Sequence, residues 1–386
     1  MTMDFDTLDM ARLRGLAGNK WQRYGDEVLP AWVADMDFLQ AAPIRDYVTR
    51  AGTTGDLGYP LAEGAEALKA IFAERAMKRY GWRVDTDRVE LLIDVVQGLY
   101  LGLDIYCEPG EGAIIPTPIY PYFLTAAEEN GRRAIANPLV LDAKRFIIDM
   151  DALEASIDNS TRVLMVCNPH NPTGRVFLRE ELEALADVAL RHDLVVIADE
   201  IFADVVFEGH QYIPFASLSP EIAARTVTFH SATKAFNLGG IRIAPAVFGS
   251  DALHERFKTI PRRMLGGPNC LGINLTRIAW QQCEDWLAAV IPYLEGNRDF
   301  VTDFLARRMP TVGYVPPEAT FFAWMDCREL DLPGGPYEYF LEHAKVALSD
   351  GVPFGEAGEG HVRLNFATPR KLLAQILEQL ADSIEK

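Results

Sequence analysis

Short apolar runs alternate with segments of helical periodicity between about residue 90 and residue 249. The apolar runs read LLIDVV, GAIIPTP, RRAIANPLVL, RVLMVC, LVVIAD, TVTFH and IAPAVFG. One connecting segment, REELEALADVALRH (residues 179–192), places its apolar residues on one face at helical spacing. Strands that alternate with helices form crossover units, which predicts an α/β fold with a mostly parallel sheet and helices on both of its faces.

The chain has 386 residues, which favours two domains over one. We expect a large domain over residues 46–285 and a smaller α+β domain over residues 286–386, where a long helical stretch, GYVPPEATFFAWMDC and HVRLNFA precede a closing helix. The closing helix has an apolar stripe at Leu373, Ile376, Leu377, Leu380 and Ile384. Residues 1–45 lack a long periodic element, and we expect them to lie across the small domain as an arm.

The net charge of −18, from 37 basic and 55 acidic residues, disfavours nucleic acid and anionic lipid as partners. No run approaches the roughly 18 apolar residues of a membrane span, and the start of the chain does not resemble a signal peptide. Five scattered cysteines include no CxxC pair, and the seven histidines include no HExxH. We therefore expect a cytoplasmic protein with reduced cysteines and no protein-ligated metal.

A lysine follows the strand-like run TVTFH in the segment HSATKAFNLGGIRIA (residues 230–244). Ligands bind beyond the carboxyl ends of strands in open α/β sheets. Burial and nearby cations there can lower the pKa of the Lys234 amine and free it to attack a carbonyl as a Schiff-base nucleophile. Ser231 and Arg242 suit a phosphate dianion. An aldehyde that carries a phosphate would satisfy all three groups.

Lys234 has two other interpretations. The segment also matches the SxxK of penicillin-binding enzymes, but their SDN and KTG elements and a GxSxG elbow are missing, so we discount this class. A solvated lysine in a turn is the better interpretation for an isolated residue. The neighbouring candidates make the catalytic interpretation stronger.

Three further candidates follow strand-like runs. Asp199 ends LVVIAD and could keep a pyridinium nitrogen protonated, although it could also cap a helix. Asn171 lies in CNPHNPTGRV, where prolines and glycine fix a loop that could direct its amide to a phenolate oxygen or form a plain turn. Tyr120, in TPIYPYF, could stack on a heteroaromatic ring or merely pack.

Two more candidates would bind anions. The amides of Gln97 and Gly98, where a helix begins after a strand, could receive a phosphate, although this signal is weak alone. Arg363, in HVRLNFA, could hold a substrate carboxylate bidentately or form a surface salt bridge.

Together these residues make the sequence resemble the pyridoxal-phosphate enzymes of fold type I, the class I/II aminotransferase group, over nearly its whole length. The shared motifs are Ser-x-x-Lys with an arginine eight residues after the lysine, NPxNPTG, and an aspartate that ends the intervening strand. WVADMDF, LGYP, HNPTGRVF, DEIF and ATKAFN look most like the MalY/PatB-type carbon-sulfur β-lyases.

The resemblance implies pyridoxal 5′-phosphate as the cofactor, covalently held by Lys234. Asp199 would pair with the ring nitrogen, Asn171 would bond the phenolic oxygen and contact substrate, and Tyr120 would stack on the ring. Arg363 would bind the substrate α-carboxylate, and Ala34 in the WVADMDF arm would belong to an apolar wall beside the substrate.

The resemblance also implies a phosphate site and a dimer. Ser231, Arg242 and the amides of Gln97 and Gly98 would hold the phosphate. Tyr59 of the GYP segment would join them from a neighbouring subunit, which implies a homodimer with shared active sites.

Two residues depart from the lyase pattern. Phe202 stands three residues after Asp199, where the family has tyrosine or these lyases have histidine, and it cannot form a hydrogen bond to the cofactor oxygen. Arg242 is the choice typical of aminotransferases, since these lyases often have an uncharged residue there.

The expected function is β-elimination from cystathionine or other cysteine S-conjugates, which yields pyruvate, ammonia and a thiol. An aminotransferase is the alternative, since both reactions begin with removal of the α-proton by Lys234. A third hypothesis is a regulatory protein that binds pyridoxal phosphate.

Overall fold

The computed structural model describes residues 4–385. Its α-helices are α1 Met10–Arg14, α2 Asn19–Gln22, α3 Ala42–Thr54, α4 Ala62–Tyr80, α5 Val95–Tyr106, α6 Tyr122–Glu129, α7 Met150–Ala155, α8 Arg179–Arg191, α9 Pro220–Ala223, α10 Asp251–Phe257, α11 Cys270–Gln282, α12 Glu284–Arg308, α13 Pro336–Tyr339 and α14 Arg370–Ile384. A π-helical turn covers Phe340–Ala344, and 3₁₀ turns cover Thr86–Arg88, Phe215–Ser217, Arg262–Leu265, Arg328–Leu330, Val352–Phe354 and Glu356–Gly358.

The strands form three sheets within the described residues. They are β1 Leu29–Pro30, β2 Val89–Leu92, β3 Gly112–Thr117, β4 Arg133–Asp142, β5 Arg145–Ile148, β6 Thr161–Cys167, β7 Val195–Asp199, β8 Thr226–Phe229, β9 Ala244–Phe248, β10 Gly313–Tyr314, β11 Phe322–Asp326, β12 Val346–Ala347, β13 Ser349–Asp350 and β14 His361–Asn365.

The large sheet has the strand order β2-β9-β8-β7-β6-β3-β4-β5. The five strands from β8 to β4 in this order are mutually parallel, whereas β9 and β5 pair antiparallel to their neighbours. The mostly parallel sheet that the alternating pattern predicted is confirmed. Its parallel strands bring their carboxyl ends to one edge.

Helices cover both faces of this sheet. Alternate residues of β6 point to opposite sides, so Met165 packs with α5, α6 and α10 while Leu164 packs with α7, α8 and α9. Both side chains are fully buried. Each fully buried side chain of this size contributes about 1.5–3 kcal/mol to folding. The predicted helix at residues 179–192 is observed as α8, with its apolar face buried against the sheet.

The C-terminal region forms a second, antiparallel sheet in the order β10-β11-β14-β13. The closing helix α14 buries four of the five predicted stripe residues completely, and Ile384 partly. In the N-terminal segment, β1 pairs in parallel with β12 of this region. This segment therefore lies against the C-terminal residues before α3 begins.

Within residues 4–385, no helix combines the length and apolar character that crossing a membrane requires. The same residues hold no group of three or more histidine, cysteine, aspartate or glutamate side chains placed to bind a metal.

Candidate active site

A cavity of about 230 Å³ lies at the carboxyl ends of the parallel strands. The ends of β6, β7 and β8, and the loop after β3, all contribute to it, as the general rule for open α/β sheets requires. It is lined by Ala34, Asp94, Val95, Val96, Tyr120, Cys167, Asn171, Asp199, Ile201, Phe202, Ser231, Thr233, Lys234, Gly239, Arg242 and Ile243. The cavity therefore brings together most of the residues that the sequence singled out.

Lys234 lies in the loop after β8. Ser231 shapes this loop, since its Oγ donates to the carbonyl of Ile243 at 2.7 Å and accepts from the amide of Thr233 at 3.1 Å. The Lys234 Nζ is 3.5 Å from the carbonyl oxygen of Ala34. Burial lowers the pKa of the Lys234 amine, and Asp35 partly opposes this shift. A lowered pKa increases the fraction of the amine that is unprotonated and can act as a nucleophile and base.

Asp199 is the last residue of β7 and is 4% exposed. Its Oδ1 accepts from the amide of Ile201 at 3.0 Å, which fixes the carboxylate at the floor of the cavity. Burial raises the pKa of Asp199 to about 6, and the nearby Lys234 opposes this shift. A buried carboxylate of this kind is suited to pair with a protonated ring nitrogen.

Asn171 and Arg363 meet at the wall between the two sheets. Arg363, on β14, donates from Nη1 to Asn171 Oδ1 at 2.7 Å and from Nη2 to the carbonyl of Trp32 at 3.2 Å. The bond to Oδ1 leaves the Asn171 Nδ2 as the donor that faces the cavity. Both side chains are 5% exposed.

Arg363 is a buried cation without an acid partner among the residues that the structure describes. Its guanidinium lies 4.0 Å from the centre of the Phe322 ring and 5.1 Å from that of Phe354. Burial lowers the pKa of Arg363 to about 10. The surface salt bridge that the sequence left open is not observed, and the position fits capture of an incoming carboxylate.

Tyr120 and Phe202 supply aromatic surface to the cavity. The amide of Tyr120 donates to the carbonyl of Asn171 at 3.1 Å, which couples the two loops. Burial raises the pKa of Tyr120 to about 12, so its hydroxyl stays protonated at neutral pH. Phe202 is packed edge-on against Phe321 and Phe322, with ring centres 5.5 Å apart in both pairs.

The phosphate end of the cavity differs from the sequence prediction. The cavity reaches Val95 and Val96, the first residues of α5, whereas Gln97 and Gly98 do not line it. The Gln97 amide donates to Asp94 Oδ1 at 2.7 Å. Gly98 faces the sheet, where a Cβ would lie 2.7 Å from the Phe229 ring. The amides that line the cavity are therefore those of Val95 and Val96, because α5 begins directly after Asp94, and phosphate binding by Gln97 and Gly98 stays a prediction.

Tyr59 does not reach the cavity of its own chain. The side chain is fully exposed, and Leu57 and Leu61 beside it are 58% and 75% exposed. The predicted contact of Tyr59 with a phosphate concerns a second chain.

The N-terminal arm is bound to both halves of the site. Asn237, three residues after Lys234, donates to the carbonyls of Met36 and Phe38. Asn365 of β14 donates to the carbonyls of Val33 and Asp35. Sequence analysis missed both asparagines. The only signal was their position beside motif residues, since each is two or three residues from Arg363 or Lys234.

The arrangement fits a flat aromatic aldehyde that carries a phosphate. Lys234 offers an amine for the carbonyl, and Asp199 offers a buried carboxylate for a ring nitrogen. Arg242 offers an exposed guanidinium for the phosphate. The cavity walls next to Lys234 are apolar at Ala34 and Ile201. Such a site can hold an amino acid by its carboxylate and remove its α-proton.

Comparisons with known proteins agree with this chemistry. The sequence model of the family Aminotransferase class I and II matches residues 35–380. The cystathionine beta-lyase PatB of Bacillus subtilis (strain 168) is 32% identical over 371 residues, which cover 94% of this chain and 95% of that protein. A cystathionine beta-lyase of Corynebacterium glutamicum is 31% identical over 374 residues, with 97% and 98% covered. The structure of a PLP-bound C-S lyase from Staphylococcus hominis is similar with a TM-score of 0.92 and 28% identity, with 99% of each chain covered.

Proposed function

The chain belongs to the class I and II aminotransferase family, and from this premise we propose that it is a pyridoxal 5′-phosphate-dependent carbon-sulfur β-lyase. Its substrates are cystathionine and other cysteine S-conjugates. The products are pyruvate, ammonia and a thiol. The relatives named as cystathionine beta-lyases support this reaction.

The observation that carries the proposal is that two cations at the site, the Lys234 amine and the buried Arg363 guanidinium, each lack an acid partner among the described residues. Lys234 lines the cavity, whereas Arg363 does not line it and is connected to it through its bond to Asn171. Among residues 4–385, neither Lys234 nor Arg363 forms a salt bridge. A buried cation without a counter-ion is costly, so Arg363 is placed for an anion that arrives with the substrate. The α-carboxylate of an amino acid is such an anion.

The cofactor, when bound, supplies an electron sink for the substrate α-carbon. Asp199 would keep the ring nitrogen protonated, while Asn171 and Tyr120 would hold the ring in position. The Lys234 amine, with its pKa lowered by burial, takes the α-proton. A sulfur substituent on the β-carbon then leaves as a thiolate, and water converts the remaining three-carbon unit into pyruvate and ammonia.

Part of the lining next to Lys234 is apolar, which suits the thioether sulfur and methylene groups of a cysteine S-conjugate. Ala34, Ile201 and Phe202 line the cavity next to Lys234, and the arm that carries Ala34 is fixed by Asn237 and Asn365. Thioethers are weakly polar and are well accommodated by apolar and aromatic walls. The two reactions divide at the β-carbon, where a thiolate leaves in the lyase reaction and nothing leaves in the aminotransferase reaction.

An aminotransferase is the second candidate, and Arg242 is the residue that favours it. A regulatory role alone is less well supported, since sensing a ligand does not require a base such as Lys234.

Pyruvate release separates the two reactions. The purified protein is incubated with L-cystathionine without any keto acid, and L-alanine serves as the matched substrate without a leaving group. We expect sustained pyruvate formation from cystathionine and an unchanged cofactor absorbance after turnover. A single loss of the absorbance band with both substrates, and no sustained pyruvate, would instead identify an aminotransferase.

We further propose a homodimer in which Tyr59 of each chain completes the phosphate end of the other chain's site. The exposed Tyr59, with the exposed apolar side chains of Leu57 and Leu61, supports a covering partner, since such side chains are usually buried in an interface. We also propose a cytoplasmic location, which the five free cysteines support.

A further inference from the structure

A carboxylate lies at the phosphate end of the cavity, by which we mean the part lined by Asp94, Val95, Val96 and Arg242. Asp94 caps the N-terminus of α5, where its Oδ1 accepts from the Gln97 amide at 2.7 Å. Its Oδ2 accepts from Nη2 of Arg242, to which it is ion-paired. The Asp94 side chain is 21% exposed and lines the cavity. One carboxylate thus binds Arg242 and one amide of the first turn of α5, and both of these groups attract anions.

Two backbone amides without an acceptor among the described residues remain for a phosphate at this end, but its arginine is already paired with a carboxylate. The Ser231 hydroxyl already donates to the carbonyl of Ile243. Val95 and Val96 are the first two residues of α5, and no residue among 4–385 accepts a hydrogen bond from their amides. Arg242 is the cation of this end, and Asp94 is its salt-bridge partner. A phosphate dianion must therefore share Arg242 with a like-charged group or displace it.

The negative charge of Asp94 opposes the binding of a phosphate at this end. A carboxylate at the helix N-terminus is stabilised by the helix dipole, as a phosphate would be, so the two anions compete for one favourable position. Their charges also repel across a short distance. Asp94 consequently lowers the affinity of this end for phosphate.

We propose that Asp94 is a built-in competitor for the phosphate of the cofactor. It holds Arg242 and the α5 terminus in place when the phosphate is absent, and it gives up Arg242 when the phosphate binds. Asp94 thereby weakens cofactor binding and makes exchange of the cofactor easier. This inference rests on the proposed function, because it takes pyridoxal 5′-phosphate as the ligand.

The test compares two ligands that differ only in the phosphate. Dissociation constants for pyridoxal 5′-phosphate and for pyridoxal are measured by equilibrium dialysis on the full-length chain after removal of its cofactor. Asp94→Asn keeps a side chain of the same shape and an oxygen that can cap α5, but it removes the charge. The ratio of the pyridoxal constant to the pyridoxal phosphate constant is expected to rise about ten-fold in Asp94→Asn.

The matched control is Asp149→Asn. Asp149 caps α7 through a 2.9 Å bond from the Ala152 amide and does not line the cavity. Its ratio is expected to equal that of the unaltered chain. A rise of the same size in the control would assign the effect to helix capping and overturn the inference.

A second variant protects the test against loss of folding. Asp94→Ser places another neutral capping residue at the same position and must raise the ratio in the same direction. An unchanged or lower ratio in whichever of the two variants folds overturns the inference. If the unaltered chain fails to bind pyridoxal 5′-phosphate at all, the proposed function fails instead.

Discussion

The two ends of the cavity are built in opposite ways. At the ring end, Asp199, Asn171 and Arg363 are at most 5% exposed and are fixed by bonds to neighbouring loops and the arm. At the phosphate end, the Arg242 side chain is 63% exposed, and Tyr59 is fully exposed. The ring end is thus buried and tightly hydrogen-bonded, whereas the phosphate end is exposed to solvent.

This difference suits the ring end to proton transfer and the phosphate end to binding and release of the cofactor. Buried, paired groups keep fixed positions and perturbed pKa values, which proton transfer requires. Exposed charged groups are screened and rearrange at low cost, which suits the binding and release of an anion. Substitutions at the ring end should therefore lower turnover, and those at the phosphate end should lower cofactor affinity.

The largest effect is expected at the ring end from Asp199→Asn. Loss of the charge removes the partner that keeps the cofactor ring nitrogen protonated, and a broken buried ion pair costs about 3–5 kcal/mol. We expect kcat/KM for L-cystathionine to fall by about 10²–10³-fold, measured by pyruvate release. The exposed Asp187→Asn on α8 is the control and should keep the original rate. A loss of less than about ten-fold would show that Asp199 does not act on the ring.

Acid should weaken the ring end through His170. Burial, helped by Arg175, lowers the pKa of this histidine to about 3, and its Nδ1 lies 2.8 Å from Thr173 Oγ1. The unfolded chain, with a pKa near 6.5, binds the proton first, so stability is full above that pH and is lost as the pH falls towards 3.

Urea unfolding at pH 7 and at pH 5 measures this loss. His170 should account for a decrease of about 2 kcal/mol between these values, which His170→Asn should remove. The comparison is made between the two pH values within each protein, so that any general destabilisation cancels. An equal decrease in both proteins would contradict the assigned role.

At the phosphate end, Tyr59→Ala should weaken pyridoxal 5′-phosphate binding by about ten-fold and change kcat little at saturating cofactor. The reason is the loss of one hydroxyl donor to an anion. When Tyr59→Ala chains are mixed with Lys234→Ala chains, hybrid dimers contain one site with both residues, and the activity lost at low cofactor should partly return. If no activity returns after subunit exchange, the proposal that two chains share each site is contradicted.

The smallest effect is expected from Phe202→Tyr, at the border of the two ends. A hydroxyl that donates to the phenolic oxygen of the cofactor would favour its ionised form and lower the pH at which the bound cofactor changes absorbance, by about one unit or less. A spectrophotometric pH titration measures the shift. An unchanged titration would show that this position does not contact the cofactor.

The sequence predicted the ring end better than the phosphate end for a physical reason. Asp199 ends a strand, Lys234 and Asn171 each follow one by a few residues, and parallel strands bring such residues to one edge. The alternating pattern was sufficient to predict the sheet. The β4–β5 hairpin and the short pairing of β1 with β12 depend on contacts that a local sequence pattern does not predict.

The phosphate end depends on details that a single sequence does not specify. The helix begins at Val95 because Asp94 caps it, and this moved the free amides by two residues from the predicted Gln97. The proposed role of Tyr59 involves a second chain, and the hydrogen bonds of Asn237 and Asn365 to the arm join segments far apart in the sequence. These features follow from tertiary contacts rather than from periodicity.

The most direct test of the account is to locate the cofactor on the chain. The protein with bound pyridoxal 5′-phosphate is reduced with borohydride, digested with trypsin and analysed by mass spectrometry, with Lys234→Ala as the control. The account predicts a cofactor mass on the peptide Thr226–Arg242, whose only lysine is Lys234 and which remains uncut there. A cofactor found on another lysine, or retained covalently by Lys234→Ala, would contradict it.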